Sequence, residues 1–380
     1  MPAPTRSLLV AAALVALAAS AAAQDPPIRW GDVSPAEIEI QEVTSDPDAA
    51  AIILGDVGFD EMEPDFKGVR YTRRHHRRVK VLTEAGYEEG EFSFRYSTDD
   101  ARVMRIRAQT FVPQPGGGLR TVELGRRDIY REEVRDGVEE VRFTMPALAP
   151  GVIFEYEYTY ESDGAFVTPP AWYFQNSEPT VFSEYRVSIP YFLEYVTLQQ
   201  GSVSSDGPRQ SSRHFGRTTD IRWSAQGVPA LREEPHTTTY KDYTTRVQLQ
   251  LSRVVFDGLP QNILTSWGDV AESLDDNDHF GRRLATSRLR RAQVEGLSGT
   301  RDEKMEAVYD LVRESYLSNG RGGMFADRDL NDVIETKSGT DPELTLLLAA
   351  LLREAGVPVQ LALISTRPNG RPIEHYPIVS

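Results

Sequence analysis

From residue 69 the chain alternates with a period of two. Val69, Tyr71, Arg73, His75, Arg77, Val79 and Val81 interleave with Arg70, Thr72, Arg74, His76, Arg78 and Lys80, up to Glu84-Ala85-Gly86. That period predicts a strand. Further strand-like runs lie at 91–96, 103–111, 151–160, 182–190 and 195–199. Turn signals separate several of them: Pro115-Gly116-Gly117-Gly118, Asp136-Gly137 and Asp163-Gly164. Within 151–160 the alternation sets Phe154, Tyr156, Tyr158 and Tyr160 on one face. Many close strands without helices between them predict an antiparallel β-sandwich over 61–230. Before it, 24–60 reads as an acidic, loop-like segment with one short helix at 46–54. After it, 231–263 reads as a linker or an additional strand.

From residue 264 the period becomes helical, and the fold class is therefore α+β. Helices are predicted at 267–274 and 280–292. A clearer one at 302–316 carries Met305, Val308, Tyr309, Val312 and Tyr316 as one apolar stripe and ends at Asn319-Gly320. The strongest pattern is at 341–355. Thr340 and Glu343 form a capping-box pair, Pro342 sits in the first turn, and Gly356 stands just past the end. Leu344, Leu347, Leu348, Leu351 and Leu352 make its apolar face, and Val357, Val359, Leu361 and Leu363 then alternate as a buried strand.

Composition narrows the function. Asp plus Glu outnumber Lys plus Arg by 57 to 42 in 380 residues, a net charge of −15. Such a surface repels phosphate backbones and anionic membranes, which argues against a nucleic-acid partner. At the start, Arg6, the apolar run 8–18 and Ala21-Ala22-Ala23 have the layout of a signal peptide, 1–23, with Gln24 as first mature residue. The run is too short to span a bilayer, which takes about 20 residues. The expectation is a periplasmic or secreted protein with no membrane span after cleavage. Cysteine is absent, so disulfides, thiolate metal sites and thiol nucleophiles are excluded.

Candidate chemistry is sparse. The run Arg73-Arg74-His75-His76-Arg77-Arg78 reads either as a site for an anion or acidic polysaccharide, or as a strand neutralised by acidic neighbours such as Glu89 to Glu91. Alternation splits it across both faces, which weakens any single patch. His75 and His76 face opposite ways, and His214, His236, His279 and His375 stand in no ligand spacing, so no metal is expected. Asp275-Asp276-Asn277-Asp278 is the one stretch with calcium-like oxygens, and a solvated acidic loop accounts for it. Pro115-Gly116-Gly117-Gly118 lacks the lysine and helix of a phosphate loop. No cofactor is expected. Trp172, Tyr173 and Phe174 follow Pro169-Pro170. Trp172 and Tyr173 are the candidates for stacking on a sugar or peptide, against the alternative that they belong to the core.

The stretch Lys337-Ser338-Gly339-Thr340-Asp341-Pro342-Glu343-Leu344, running on through the leucines to Ala355-Gly356, resembles the start of a bacterial transglutaminase-like core, a papain-like α+β domain. Upstream, Arg77-Arg78-Val79-Lys80-Val81-Leu82-Thr83-Glu84-Ala85-Gly86, Gly151-Val152-Ile153-Phe154-Glu155-Tyr156 and Ser183-Glu184-Tyr185 resemble the β-rich domain of unknown function that often precedes such cores in secreted bacterial proteins. The resemblance assigns 264–380 to the core, expected to be incomplete at its C-terminus and the chain a fragment. Active members place a cysteine at the N-terminus of the leucine-rich helix, with a histidine on a following strand. Here Asp341 takes the cysteine position, and His375 falls in the loop before that strand. The resemblance therefore implies no catalytic residue. It implies a non-enzymatic module that binds or scaffolds protein, peptide or envelope glycan. The alternative is an envelope glycan or peptide hydrolase working through carboxylates.

Overall fold

The computed structural model describes residues 28–377, apart from Lys67, Asp136, 165–167, 214–216, Asp257 and His375. The expected signal peptide, His214 and His375 thus lie outside the described residues. The chain enters with a short helix, α1 (Pro35–Glu39), that the sequence reading left as loop. Its signal was present: Ser34 and Glu37 close a capping box and Pro35 occupies the first turn.

Among the described residues fifteen strands follow: β1 (Ala51–Asp65), β2 (Gly68–Val81), β3 (Glu91–Ser97), β4 (Ala101–Pro113), β5 (Leu119–Glu123), β6 (Tyr130–Arg135), β7 (Val138–Thr144), β8 (Ile153–Gly164), β9 (Trp172–Tyr173), β10 (Thr180–Pro190), β11 (Leu193–Gln200), β12 (Asp206–Arg213), β13 (Thr218–Val228), β14 (Arg246–Phe256) and β15 (Leu259–Asn262). Eight form the principal sheet, in the order β12-β13-β10-β1-β2-β8-β4-β5. It is antiparallel except where β1 runs parallel to β10. That pair corrects the purely antiparallel expectation. A parallel pair needs a long crossover, and everything from β2 to β9 supplies it.

Two smaller sheets lie against one face of the principal sheet. β3, β7 and β6 bury Phe92, Val141 and Phe143 against Ile53, Val79, Val81, Phe154 and Tyr158. β11, β14, β15 and β9 bury Val247, Leu249, Leu251 and Trp172 against Met62, Tyr71, Tyr185 and Trp223. The unit thus begins at Ala51 and ends at Asn262, wider than the expected 61–230, because β1 lies inside the principal sheet and β14 closes a core. Within 231–263 the chain forms β14 and β15. The helix expected at 46–54 is corrected to a turn at Asp46–Ala49 followed by the start of β1. Ile52 and Ile53 are buried on opposite faces, and a strand covered on both sides shows a continuous apolar run that a short helix also shows.

The remainder is helical: α2 (Trp267–Asp275), α3 (Arg288–Val294), α4 (Arg301–Ser315), α5 (Leu330–Thr336) and α6 (Asp341–Glu354), with the short parallel pair β16 (Leu317–Ser318) and β17 (Ser338–Gly339). The single helix expected at 280–292 is two pieces, a one-turn 3-10 helix at Gly281–Leu284 and α3, because the Ser287 side chain caps a fresh start. Val308, Val312 and Tyr316 of the expected α4 stripe are buried, whereas Met305 and Tyr309 are exposed. The strand expected after α6 is absent among the described residues. Val357 is buried, and residues 357–366 pair with no described strand to form a ladder. The chain then returns toward the strands: the Arg371 N–H donates to Asp242 Oδ1 at 2.7 Å, Trp267 Nε1 to the Ile373 carbonyl at 3.1 Å and the Tyr376 hydroxyl to the Leu264 carbonyl at 2.8 Å.

Candidate functional site

The basic run of β2 occupies the middle of the principal sheet, and its alternation sorts it into two buried clusters. On the face covered by the small sheets, the Asp60 carboxylate is fully buried and accepts four hydrogen bonds. Arg73 donates two at 2.7 Å each, the Tyr71 hydroxyl one at 2.8 Å and the Tyr185 hydroxyl one at 2.6 Å. Arg73 also donates to the Pro170 carbonyl at 2.8 Å. Along the same face His75 Nε2 lies 2.6 Å from Asp56, and its Nδ1 lies 3.2 Å from the Tyr158 hydroxyl. Arg77 donates to Glu89 at 2.7 Å. Burial alone would raise the Asp56 carboxyl, but the charges of His75 and Arg77 outweigh it and hold the group below its ordinary value. Burial pushes the Tyr71 and Tyr185 phenols well up, so both remain neutral donors.

On the opposite face Arg78, with an exposure of 1%, donates to Glu155 at 2.7 Å, to Glu37 at 3.0 Å and to the carbonyls of Asp32 and Arg29 at 2.7 and 2.6 Å. Lys80 reaches the Ile38 carbonyl at 2.8 Å. His76 and Gln109 bond Glu155 at 3.0 and 2.6 Å. Burial pulls the Glu155 carboxyl upward, but the His76 bond, the Arg78 charge and the Gln109 bond bring it down to about 2. The segment before β1 is therefore held by buried charge. The run is neutralised as the sequence reading allowed, by Asp56 and Asp60 of β1 and Glu155 of β8 more than by Glu89. Sequence reasoning missed those three. Their signal was a carboxylate at polar positions of strands flanking a basic strand.

Trp172 is not a surface platform. It is 4% exposed, its Nε1 donates to Ser183 Oγ at 3.1 Å, and its ring stacks on Tyr185 with centroids 5.5 Å apart. Gly58 faces it so closely that a Cβ there would lie 2.2 Å from the indole. Its stacking candidacy is thus corrected in favour of the core. Tyr173 is half-buried beside Arg246 and Tyr240, with ring centroids 6.2 Å apart in the latter pair.

Asp341 opens α6 as its first helical residue, while the Thr340 hydroxyl accepts from the Glu343 N–H as the cap. The Asp341 carboxylate is exposed and accepts from the Ser318 hydroxyl at 2.7 Å, and its N–H donates to the Arg321 carbonyl at 3.0 Å. Glu343, fully buried, accepts from Arg328 Nη2 at 2.9 Å and from the Thr340 N–H at 2.9 Å. This fixes the helix start against β17. His279 is occupied elsewhere, its Nδ1 2.9 Å from the Ala326 carbonyl. Among the described residues no three His, Asp or Glu side chains gather as a metal site, and Asp278 of the acidic loop pairs with Arg282 at 3.1 Å.

Against known proteins, no curated protein matches the chain. A crystal structure named as a "putative protease" from Parabacteroides distasonis shares its fold at TM-score 0.60 and 16% identity, covering 81% of this chain and 59% of that one. The chain thus spans 59% of that protein's length. An M1 zinc metallopeptidase from Deinococcus radiodurans aligns at TM-score 0.27 and 12% identity, over 66% of this chain and 55% of that one. That value carries no argument. Residues 69–232, which hold β2 to β13 and so both halves of the basic run, match the family described as Domain of Unknown Function with solved-structure structure (DUF3857). The chain is a β-rich α+β protein that contains a domain of unknown function.

Proposed function

We propose that the chain is an exported, transglutaminase-like protein without catalysis, a periplasmic or secreted module that binds or scaffolds protein, peptide or envelope glycan. The observation that carries this reading is Asp341. At the helix start where the resembled family keeps its nucleophile stands a carboxylate, and it accepts the Ser318 hydroxyl at 2.7 Å. The dipole of a helix N-terminus favours that negative charge, as it would favour a thiolate. A carboxylate so stabilised is a weak nucleophile, and no cysteine exists to replace it.

The alternative, a hydrolase working through carboxylates, needs one carboxyl held protonated as a general acid. The two buried carboxylates beside histidines shift the other way. Asp56 is lowered, and Glu155 is brought down to about 2. Both serve the fold through Arg77 and Arg78.

The test incubates the chain beginning at Gln24 with peptidoglycan, its muropeptides and envelope protein extract. Retention of one of these without new reducing ends or peptide fragments is the expected result. Product release that a single Asp or Glu substitution abolishes would establish the hydrolase instead. For export, residues 1–30 fused to a reporter that folds only outside the cytoplasm should give activity. A silent fusion would remove that part of the proposal.

A further inference from the structure

At one end of the principal sheet, the ends of β1 and β10 and the beginning of β13 frame a groove of about 510 Å³. Its walls carry opposite charge: Glu61 and Glu63 on the β1 side, Arg213 and Arg217 on the β12–β13 side. Of these four, Glu61 and Arg213 are engaged. Arg213 donates to Asp220 at 2.7 Å and to Ser188 at 3.1 Å, and Arg74 lies 3.7 Å from Glu61. Arg222 donates to the fully buried Glu184 at 2.6 Å. Glu63 and Arg217 are the exceptions. Both are exposed, and among the described residues neither side chain forms a hydrogen bond or ion pair with any neighbour, nor the two with each other. Two exposed charges of opposite sign, without side-chain partners among the described residues, thus line one groove.

We propose that this groove binds a short peptide with both termini free, its ammonium against Glu63 and its carboxylate against Arg217. The planar guanidinium suits a carboxylate through two parallel N–H donors. Glu63 offers an acceptor-only group to an ammonium. Met62, Pro64 and Pro190 supply an apolar floor, and Tyr191, 59% exposed, an aromatic wall for the peptide body. The volume lies within the range of about 300–1,000 Å³ usual for small-ligand sites. The site lies in the strand domain, uses none of the residues around Asp341 and stands whether or not the helical unit is catalytic.

The test is calorimetric titration of the chain beginning at Gln24 with trialanine, N-acetyl-trialanine and trialanine amide. Free trialanine should bind, and blocking either end should weaken binding by about tenfold. Arg217→Gln should weaken the free peptide by about the same factor but leave the amide unchanged, and Glu63→Gln should do the converse with the acetylated form. Both side chains are exposed, and each variant's thermal unfolding midpoint, matched to the parent, certifies its fold. Absence of heat at millimolar trialanine, equal affinity for the three peptides, or binding indifferent to both substitutions would overturn the proposal. Retention of envelope material without trialanine binding would overturn this site alone.

Discussion

Asp60 grips Arg73 through two parallel hydrogen bonds of 2.7 Å each, with the carboxylate fully buried and Tyr185 adding a third donor at 2.6 Å. This pair joins β1, β2 and β10 beneath the small sheet built on β14. Breaking a buried pair by removing one partner strands the other charge, typically at about 3–5 kcal/mol. Asp60→Ala should therefore lower unfolding free energy by that amount. Tyr185→Phe leaves Asp60 with three donors, and its loss should stay near 1 kcal/mol. Urea unfolding of the two variants checks the ratio. Equal losses would show that Arg73 is not left stranded.

Gly58 is fixed by Trp172. An added methyl would lie 2.2 Å from the indole, which is itself stacked on Tyr185 and bonded to Ser183. Gly58→Ala should destabilise by about 1–3 kcal/mol through overpacking. Trp172→Ala should cost about 3–5 kcal/mol through a cavity. Joined in one chain, the two should sum to less than their separate effects, because the methyl then meets empty space. Urea unfolding of the double-mutant cycle measures this coupling.

Glu155 makes the fold acid-sensitive. Its carboxyl is brought from 4.5 down to about 2 in the folded protein. A group depressed on folding adds stability that is complete above its unfolded value and fades as pH falls through the folded one. Asp56 is lowered too and acts with the same sign. Stability should therefore fall between about pH 5 and pH 2, and Glu155→Gln should flatten that slope while lowering stability at neutral pH. Thermal unfolding midpoints across this range, parent against variant, give the answer. A parallel pair of curves would rule out Glu155 as the source.

The start of α6 offers a test of its electrostatics. Thr340→Ala removes the cap and should cost about 1 kcal/mol. Asp341→Asn keeps an acceptor for the Ser318 hydroxyl and should cost about 0.3–1 kcal/mol through the lost charge at the helix start. Asp341→Cys should give a thiol that iodoacetamide alkylates well below pH 8.5, about where an ordinary cysteine ionises. Alkylation rates against pH supply the reading, and an ordinary titration would show that the helix end exerts no such pull.

Much of the strand order in sequence was legible because alternation survives wherever one face is wet or polar. The β2 run is an example: its residues keep strict parity, and the placing of Arg73, His75 and Arg77 opposite Arg74, His76 and Arg78 follows from geometry alone. The start of α6 was equally readable, since Thr340, Pro342 and Glu343 act within one turn of each other. Where local signals compete, the reading failed. Ile52-Ile53-Leu54 is apolar on both faces and fits helix or strand equally, and 280–292 hides the Ser287 cap inside a helical pattern.

The sequence by itself determined the alternating faces, the capped helices, the absence of any thiol and the acidic balance, because these depend on neighbours a few residues apart or on composition. Tertiary structure alone decided which carboxylate meets which cation. Asp60 and Tyr185 are far apart in the chain and meet only because β1 and β10 run parallel, a pairing that no local period encodes. It also decided that Trp172 is core, since its burial is made by β14 and Gly58, and that Glu63 and Arg217 share a groove without bonding. Burial and long-range register belong to the folded chain, where the free energy of ordering is met by contacts between distant segments.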